Sequence, residues 1–225
     1  MNLKTALDAF RAEFLEKFPS DKAAIMQRAT ETIAAEFETR RLLQMGDRAP
    51  EFVLPNAVGQ SIRLTERLAQ GPVILTFYRG GWCPYCNLEL RAYQQVLPQI
   101  KQLGASLIAI SPQTPDASLS TAEKNDLAFD VLSDVGSEVA QAYGIAFELP
   151  DELKALYTEL GHALPDSNGT EDWKLPVPAT FVIDQNQQIV LAHIDVDYRN
   201  RLEPMEAIAA VEHLTRPTTL MNTWS

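Results

Sequence analysis

The chain has 225 residues, 46% of them hydrophobic and 22% charged, with a formal net charge of −11. That size and balance fit one folded domain with an appendage. The acidic balance repels a phosphate backbone and no Lys/Arg-rich block occurs, so neither nucleic acid nor a membrane surface is an expected partner.

Met1 to Arg11 carries Lys4, Asp8 and Arg11 and has no unbroken apolar core of signal-peptide length. The longest apolar stretch, Val73 to Tyr78, falls far short of the ~20 residues that a bilayer span needs. A cytoplasmic protein is therefore expected. Residues 1–45 read as a helical extension. Leu3, Leu7, Phe10, Phe14 and Phe18 recur every three or four positions, Pro19-Ser20 interrupts, and Ser20 or Asp21 is available as an N-cap for a second stripe at Ile25, Ala29, Ile33 and Phe37. Both stripes are expected to pack on the main domain, with a homodimer interface as the alternative.

From Pro50 the pattern turns extended. Phe52-Val53-Leu54, turn residues at Asn56 and Gly59, and Ile62 with Leu64 predict a short hairpin before a core strand at Val73 to Tyr78. A helix follows the cysteine turn, with Leu88, Leu90, Tyr93, Val96, Leu97 and Ile100 as its apolar positions, and Ser106 to Ile110 is the next strand. A strand, a helix and a strand in that order require a right-handed crossover, so the two strands lie parallel in one α/β sheet. The segment between them then opens at the carboxyl edge, where such sheets place their sites.

Asp116 to Asn125 reads as a helix, Phe129 to Leu132 as a strand and Ser137 to Tyr143 as a short helix. Between 145 and 177 the chain is irregular. Asp151 to Leu160 forms a helix there, and Asp166-Ser167-Asn168-Gly169 carries turn chemistry. Ala179 to Ile183 and Gln188 to Ile194 predict an antiparallel hairpin, and Pro204 to Leu214 a closing helix. Residues 217–225 are read as a tail.

Both cysteines of the chain lie in one tetrapeptide, Cys83-Pro84-Tyr85-Cys86, after a strand and at a helix start. The pair can close into a small disulfide, and the positive end of a helix stabilises a thiolate. Pro84 suits the first helical turn, where its missing N–H is no loss. A zinc site needs about four N or S ligands. His162, His193 and His213 stand at no finger-like spacing, so no metal is expected. A redox-active dithiol is the expected chemistry.

Gly46-Asp47-Arg48-Ala49-Pro50-Glu51-Phe52, the strand into Phe77-Tyr78, the cysteine turn and Ala179-Thr180-Phe181-Val182-Ile183-Asp184 resemble the alkyl hydroperoxide reductase/thiol-specific antioxidant family, the peroxiredoxins and their relatives. Phe77 to Cys86 resembles the subgroup that carries a CxxC. The resemblance covers roughly residues 46 to 214 and implies a thioredoxin fold, a central mixed sheet flanked by helices, over 46–216, with the two-helix extension before it. It further implies reduction of hydroperoxides through a Cys83/Cys86 dithiol–disulfide cycle, with no bound cofactor and with an external thiol, thioredoxin or glutathione, as reductant.

Two registers compete over the cysteine turn. The peroxiredoxin pattern of proline, threonine and cysteine puts Arg79 at the proline, Cys83 at the threonine and Cys86 at the peroxidatic position. The thioredoxin and glutaredoxin pattern makes Cys83 the nucleophile and Cys86 its resolving partner, which implies a protein disulfide oxidoreductase. A non-catalytic redox sensor or interaction protein is a third reading. Pro178 fits the spacing of the cis-proline of thioredoxin-like oxidoreductases and is expected to be cis. Peroxiredoxins usually carry an arginine there, which would need a substitute from Arg79 or another cation. Arg79 either lowers a cysteine pKa or is solvated, and Trp82 either shields the thiols or is ordinary packing.

Overall fold

The structure, a computed structural model, describes residues 2–215. Helix α1 (Leu3–Lys17) begins where Asn2 Oδ1 accepts the Thr5 N–H at 2.9 Å, a cap that contributes about 1 kcal/mol. The free N–H groups of Leu3 and Lys4 donate to the Glu203 carboxylate at 3.3 and 2.6 Å. An anion there also complements the positive helix end. Helix α2 (Ser20–Phe37) starts directly after Pro19, so neither Ser20 nor Asp21 caps it as expected; Pro19 holds that position without a side-chain bond.

The two apolar stripes pack on the main domain in part, Phe10, Phe14, Phe18 and Ile25 staying half-buried. Leu3 and Leu7 bury beside Tyr85, Cys86 and Leu90, and Ala29, Ile33 and Phe37 enter the main core. Strands β1 (Val53–Pro55) and β2 (Ser61–Arg63) form the expected hairpin. Asn56 Oδ1 closes its turn by accepting the Val58 and Gln60 N–H groups at 3.1 and 2.9 Å. A short helix, α3 (Leu64–Leu68), then leads into β3 (Val73–Phe77).

Helix α4 (Pro84–Gln102) crosses to β4 (Ser106–Ser111), which pairs parallel with β3 from Val73 opposite Ser106 to Phe77 opposite Ile110. Helix α5 (Pro115–Lys124), β5 (Asp130–Ser133) and α6 (Glu138–Ala142) follow, β5 extending the parallel side. The segment read as irregular contains more order than its composition announces. Strands β6 (Ala146–Glu148) and β7 (Lys174–Pro176) pair antiparallel around α7 (Asp151–Glu159) and α8 (Leu164–Asn168). The turn signal at Asp166 to Gly169 is the end of α8, stopped by Gly169 at φ +67°. Strands β8 (Ala179–Ile183) and β9 (Ile189–Ile194) make the closing hairpin, and α9 (Pro204–Thr215) ends the described chain. The expected tail, 217–225, lies outside the described residues.

Among the described residues the main sheet has five strands in the order β5-β4-β3-β8-β9, mixed because β8 runs antiparallel to β3. Alternate residues of β3 face opposite layers. Val73, Leu75 and Phe77 join the core shared with α2, α6 and α7, while Ile74 packs under α4 and α9 with Tyr93, Leu97, Ile208 and Val211. This is the expected α/β thioredoxin fold with two helices added at the front.

The expectation of a cis Pro178 is corrected. No cis peptide occurs among the described residues. The trans form is the default of an X–Pro bond by about 0.5–1 kcal/mol. The chain runs extended from β7 into β8 without a turn, the Val177 N–H donating to Ile145 O at 2.8 Å and Pro178 O accepting the Asp195 N–H at 3.4 Å.

Leu7, 6% exposed, holds α1 against the cysteine-bearing helix. Leu7→Ala is expected to lower stability by about 2–5 kcal/mol in urea unfolding. It is also expected to speed thiol modification by an aromatic disulfide under native conditions, because α1 covers the sulfurs.

Candidate active site

The cysteine turn leaves the carboxyl end of β3, where the Tyr78 N–H still donates to Ile110 O at 2.9 Å. The next residues reverse the chain in a short space. Gly80 takes φ +152°, a region that favours glycine, and a Cβ on Gly81 would overlap the Thr121 hydroxyl. Buried amides fix this loop from two sides: Gln113 Oε1 accepts the Gly81 N–H at 2.8 Å, and Asn87 Nδ2 donates to Gly81 O at 2.8 Å. Asn125 Nδ2 in turn donates to Asn87 Oδ1 at 2.9 Å, which orients that amide.

Cys83 is the N-cap of α4, Pro84 its first residue and Cys86 its third. The first helical bond runs from the Asn87 N–H to Cys83 O at 3.1 Å. Both sulfurs thus sit at the positive end of a 19-residue helix. They are not equivalent. Among the described residues Cys83 lines a cavity of about 190 Å³ and Cys86 does not, although the two are 1% and 0% exposed.

Two buried arginines flank the pair. Arg79 donates to the Tyr157 hydroxyl, and its guanidinium centre lies 4.2 Å from the Tyr198 ring centroid and 5.1 Å from that of Trp82. It has no carboxylate partner among the described residues. Arg201 reaches the other sulfur: its Nη2 lies 3.4 Å from Cys86 Sγ, and its Nε donates to Glu89 Oε2 at 2.6 Å. The Arg201 and Glu89 side chains are each 2% exposed.

These charges set the acidity of the thiols. Burial pushes Cys83 up, but the hydrogen bond from Cys86 and the charges of Arg79 and Arg201 outweigh it and hold Cys83 below the ordinary thiol value. Cys86 moves well above that value through burial and through the bond and charge of Cys83, against the pull of both arginines. The two sulfurs titrate as a pair, and the balance of charges and hydrogen bonds favours the thiolate on Cys83 over Cys86. Burial also raises Glu89, to about 7, against the charge of Arg201.

The AhpC/TSA family model matches residues 45–192, which include the cysteine turn and four strands of the main sheet in full. The chain belongs to the AhpC/TSA family. Among curated relatives, the thiol-disulfide oxidoreductase ResA of Halalkalibacterium halodurans is 27% identical over 70% of this chain and 72% of its own. The chloroplastic peroxiredoxin Q of Gentiana triflora is 27% identical over 72% of this chain and 62% of its own. Among solved structures, the peroxidoxin BcpB of Mycobacterium tuberculosis superposes with a TM-score of 0.60 at 23% identity, covering 76% of this chain and 98% of that one. That last likeness is one of fold.

In this AhpC/TSA chain Arg79, Trp82, Cys83 and Pro84 line the cavity, and Cys86 lies outside its lining. Arg79 is buried, not solvated. Trp82 lines the cavity, edge-on to Tyr157 and stacked on His162 at ring separations of 5.4 and 5.7 Å. Pro178 is buried at the start of β8 and does not line the cavity. The sequence reading missed Glu89 and Arg201. Glu89 had a signal, since it lies one turn after Cys86 on a helix face that continues through the buried Leu90, Tyr93 and Leu97. Arg201 lies between the closing hairpin and the closing helix, in a stretch to which the sequence assigns no element or role. Among the described residues no group of three His, Cys, Asp or Glu side chains could hold a metal ion.

With the Cys83 pKa lowered, its reactive form exists above that lowered value and is lost as pH falls through it. Thiolate absorbance of the reduced protein is expected to rise in a first step below the ordinary cysteine value of about 8.5. Arg79→Gln should move that step toward higher pH, and an unmoved midpoint would deny the charge coupling.

Proposed function

We propose that this thiol-dependent oxidoreductase is a peroxidase in which Cys83 attacks the peroxide and Cys86 resolves. The observation that carries this order is access: Cys83 lines the cavity and Cys86 does not, and the flanking charges favour the thiolate on the same sulfur. The Cys83 thiolate attacks one peroxide oxygen, an S–O bond forms, and the O–O bond breaks. Sulfur is oxidised to a sulfenic acid, while the leaving oxygen takes a proton and departs as an alcohol or water. Arg79, beside Cys83, favours the negative charge in both the thiolate and the departing oxygen.

Cys86 then gives up its proton and attacks the sulfenic sulfur. The S–S bond forms and the hydroxyl leaves as water. Arg201 Nη2, within 3.4 Å of Cys86 Sγ, stabilises that thiolate as it develops, and Glu89 keeps the guanidinium in place. An external thiol, thioredoxin or glutathione, reduces the disulfide by exchange and supplies two electrons and two protons per cycle. No bound cofactor enters these steps. The reducing cytoplasm is the setting that suits such a cycle.

A second reading, protein disulfide exchange, uses the same nucleophile and is supported by the ResA relative. The enclosure of Cys83 weighs against it, because a folded disulfide partner must reach a sulfur that is 1% exposed; the same enclosure favours glutathione over thioredoxin as the reductant.

Addition of one equivalent of hydrogen peroxide to anaerobic reduced protein is expected to consume both thiols much faster than free cysteine. Cys86→Ser should trap a sulfenic acid on Cys83, read by mass after dimedone, and Cys83→Ser should trap none. The reverse pattern would make Cys86 peroxidatic. Reduction of insulin disulfides without faster peroxide turnover would favour the second reading.

A further inference from the structure

The far wall of the Cys83 cavity comes from outside the segment that the family model matches. Phe10, Phe14 and Phe18 of α1 and the α1 end, with Met26 of α2, face Trp82 and Tyr157 across it. The three phenylalanines form one stacked row, with centroids 6.2 and 4.3 Å apart, and Phe10 meets Tyr85 edge-on at 5.0 Å. This wall is tied to the domain at several points. Glu203 grips the first turn of α1, Arg28 and Lys22 of α2 pair with Glu152 and Glu159 of α7, and Arg199 donates to Gln27.

The space is larger than the chemistry at Cys83 alone requires. A water occupies roughly 10–15 Å³ of such a cavity, so about 190 Å³ holds far more than one hydrogen peroxide. Its outer surfaces are ring faces and a thioether, which gain by covering apolar groups. Cys83 and the Arg79 side chain belong to the cavity's lining with His162 and three tyrosines, while the phenylalanines and Met26 supply its apolar part. Part of the lining is therefore suited to a peroxide group and part to a hydrocarbon body.

We propose that α1 and α2 form a substrate-binding wall that makes the enzyme selective for organic hydroperoxides with a bulky apolar or aromatic group over hydrogen peroxide. The inference rests on the peroxidase reading and names its substrate class. Phe14, Phe18 and Met26 are the specificity-determining side chains: the two phenylalanines line the cavity outside the buried clusters of the fold, and Met26 lines it from the edge of the main core. The reaction is that given above: the Cys83 sulfur gains one oxygen, the O–O bond breaks, and the apolar alcohol leaves.

The test compares cumene hydroperoxide with hydrogen peroxide as oxidants of the full-length reduced protein, using second-order rate constants for thiol loss. The wild-type ratio is expected to favour cumene hydroperoxide at least tenfold. Phe14→Ala and, from the other helix, Met26→Ala should each lower that ratio about tenfold, the size expected when an apolar contact to the substrate is removed. Leu15→Ala, on the exposed face of α1, should leave the ratio unchanged. Circular dichroism verifies the helices in each variant. Rapid hydrogen peroxide reduction with no preference for cumene hydroperoxide, or a ratio that neither wall variant alters, overturns the inference while the peroxidase reading stands. Thiol loss no faster than that of free cysteine with both oxidants overturns the two together.

Discussion

Two buried guanidinium groups at the thiols, only one of them paired with a carboxylate, are the constraint on which this site depends. Removing a charge from water carries a penalty of several kcal/mol unless a partner compensates it. Arg201 has Glu89. Arg79 has a phenol and three aromatic faces, which ease its burial without neutralising it. Arg79 and Cys83 each favour the charged form of the other. The low acidity threshold of that sulfur and the tolerated burial of the arginine are therefore one fact seen from two ends.

Holding these charges together requires parts of the chain far apart in sequence. The segment from Asp195 to Glu203 is where they meet. Tyr198 lies over Arg79 and edge-on to Tyr85, Arg201 reaches Cys86 and Glu89, Arg199 clasps Asp197 while touching Gln27, and Glu203 caps α1. This loop thus serves the sulfurs on its inner side and the amino-terminal helices on its outer side. A shift in the loop would change both the charge at the thiols and the wall of the cavity.

Period and punctuation made most of the fold legible. The parallel pair β3 and β4 followed from a strand, a helix and a strand, and the closing hairpin from two apolar runs around Asp184 to Gln187. The β6–β7 pair escaped because each strand has three residues and is fixed by long-range pairing, not local pattern. At the site, Cys83, Cys86, Arg79 and Trp82 were readable because they are neighbours in sequence. Arg201 was not, since its meaning comes from a contact 115 residues away. Pro178 shows the opposite limit: spacing matched a cis-proline, yet the continuous extension from β7 to β8 holds the bond trans.

The same charge balance bears on the return half of the cycle. Closing the disulfide removes the thiolate and leaves Arg79 facing two neutral sulfurs, so burial of that cation loses its counter-charge. Electrostatics then favours the reduced state, and the disulfide is readily opened by an incoming thiol. Cleavage of a peroxide bond drives the forward half, so the site does not need a stable disulfide to turn over. Access is the remaining constraint. A small thiol can reach Cys83 through the cavity, whereas a folded reductant can touch it only when α1 moves from α4. The helices that would select the oxidant would thereby also govern which reductant can follow it.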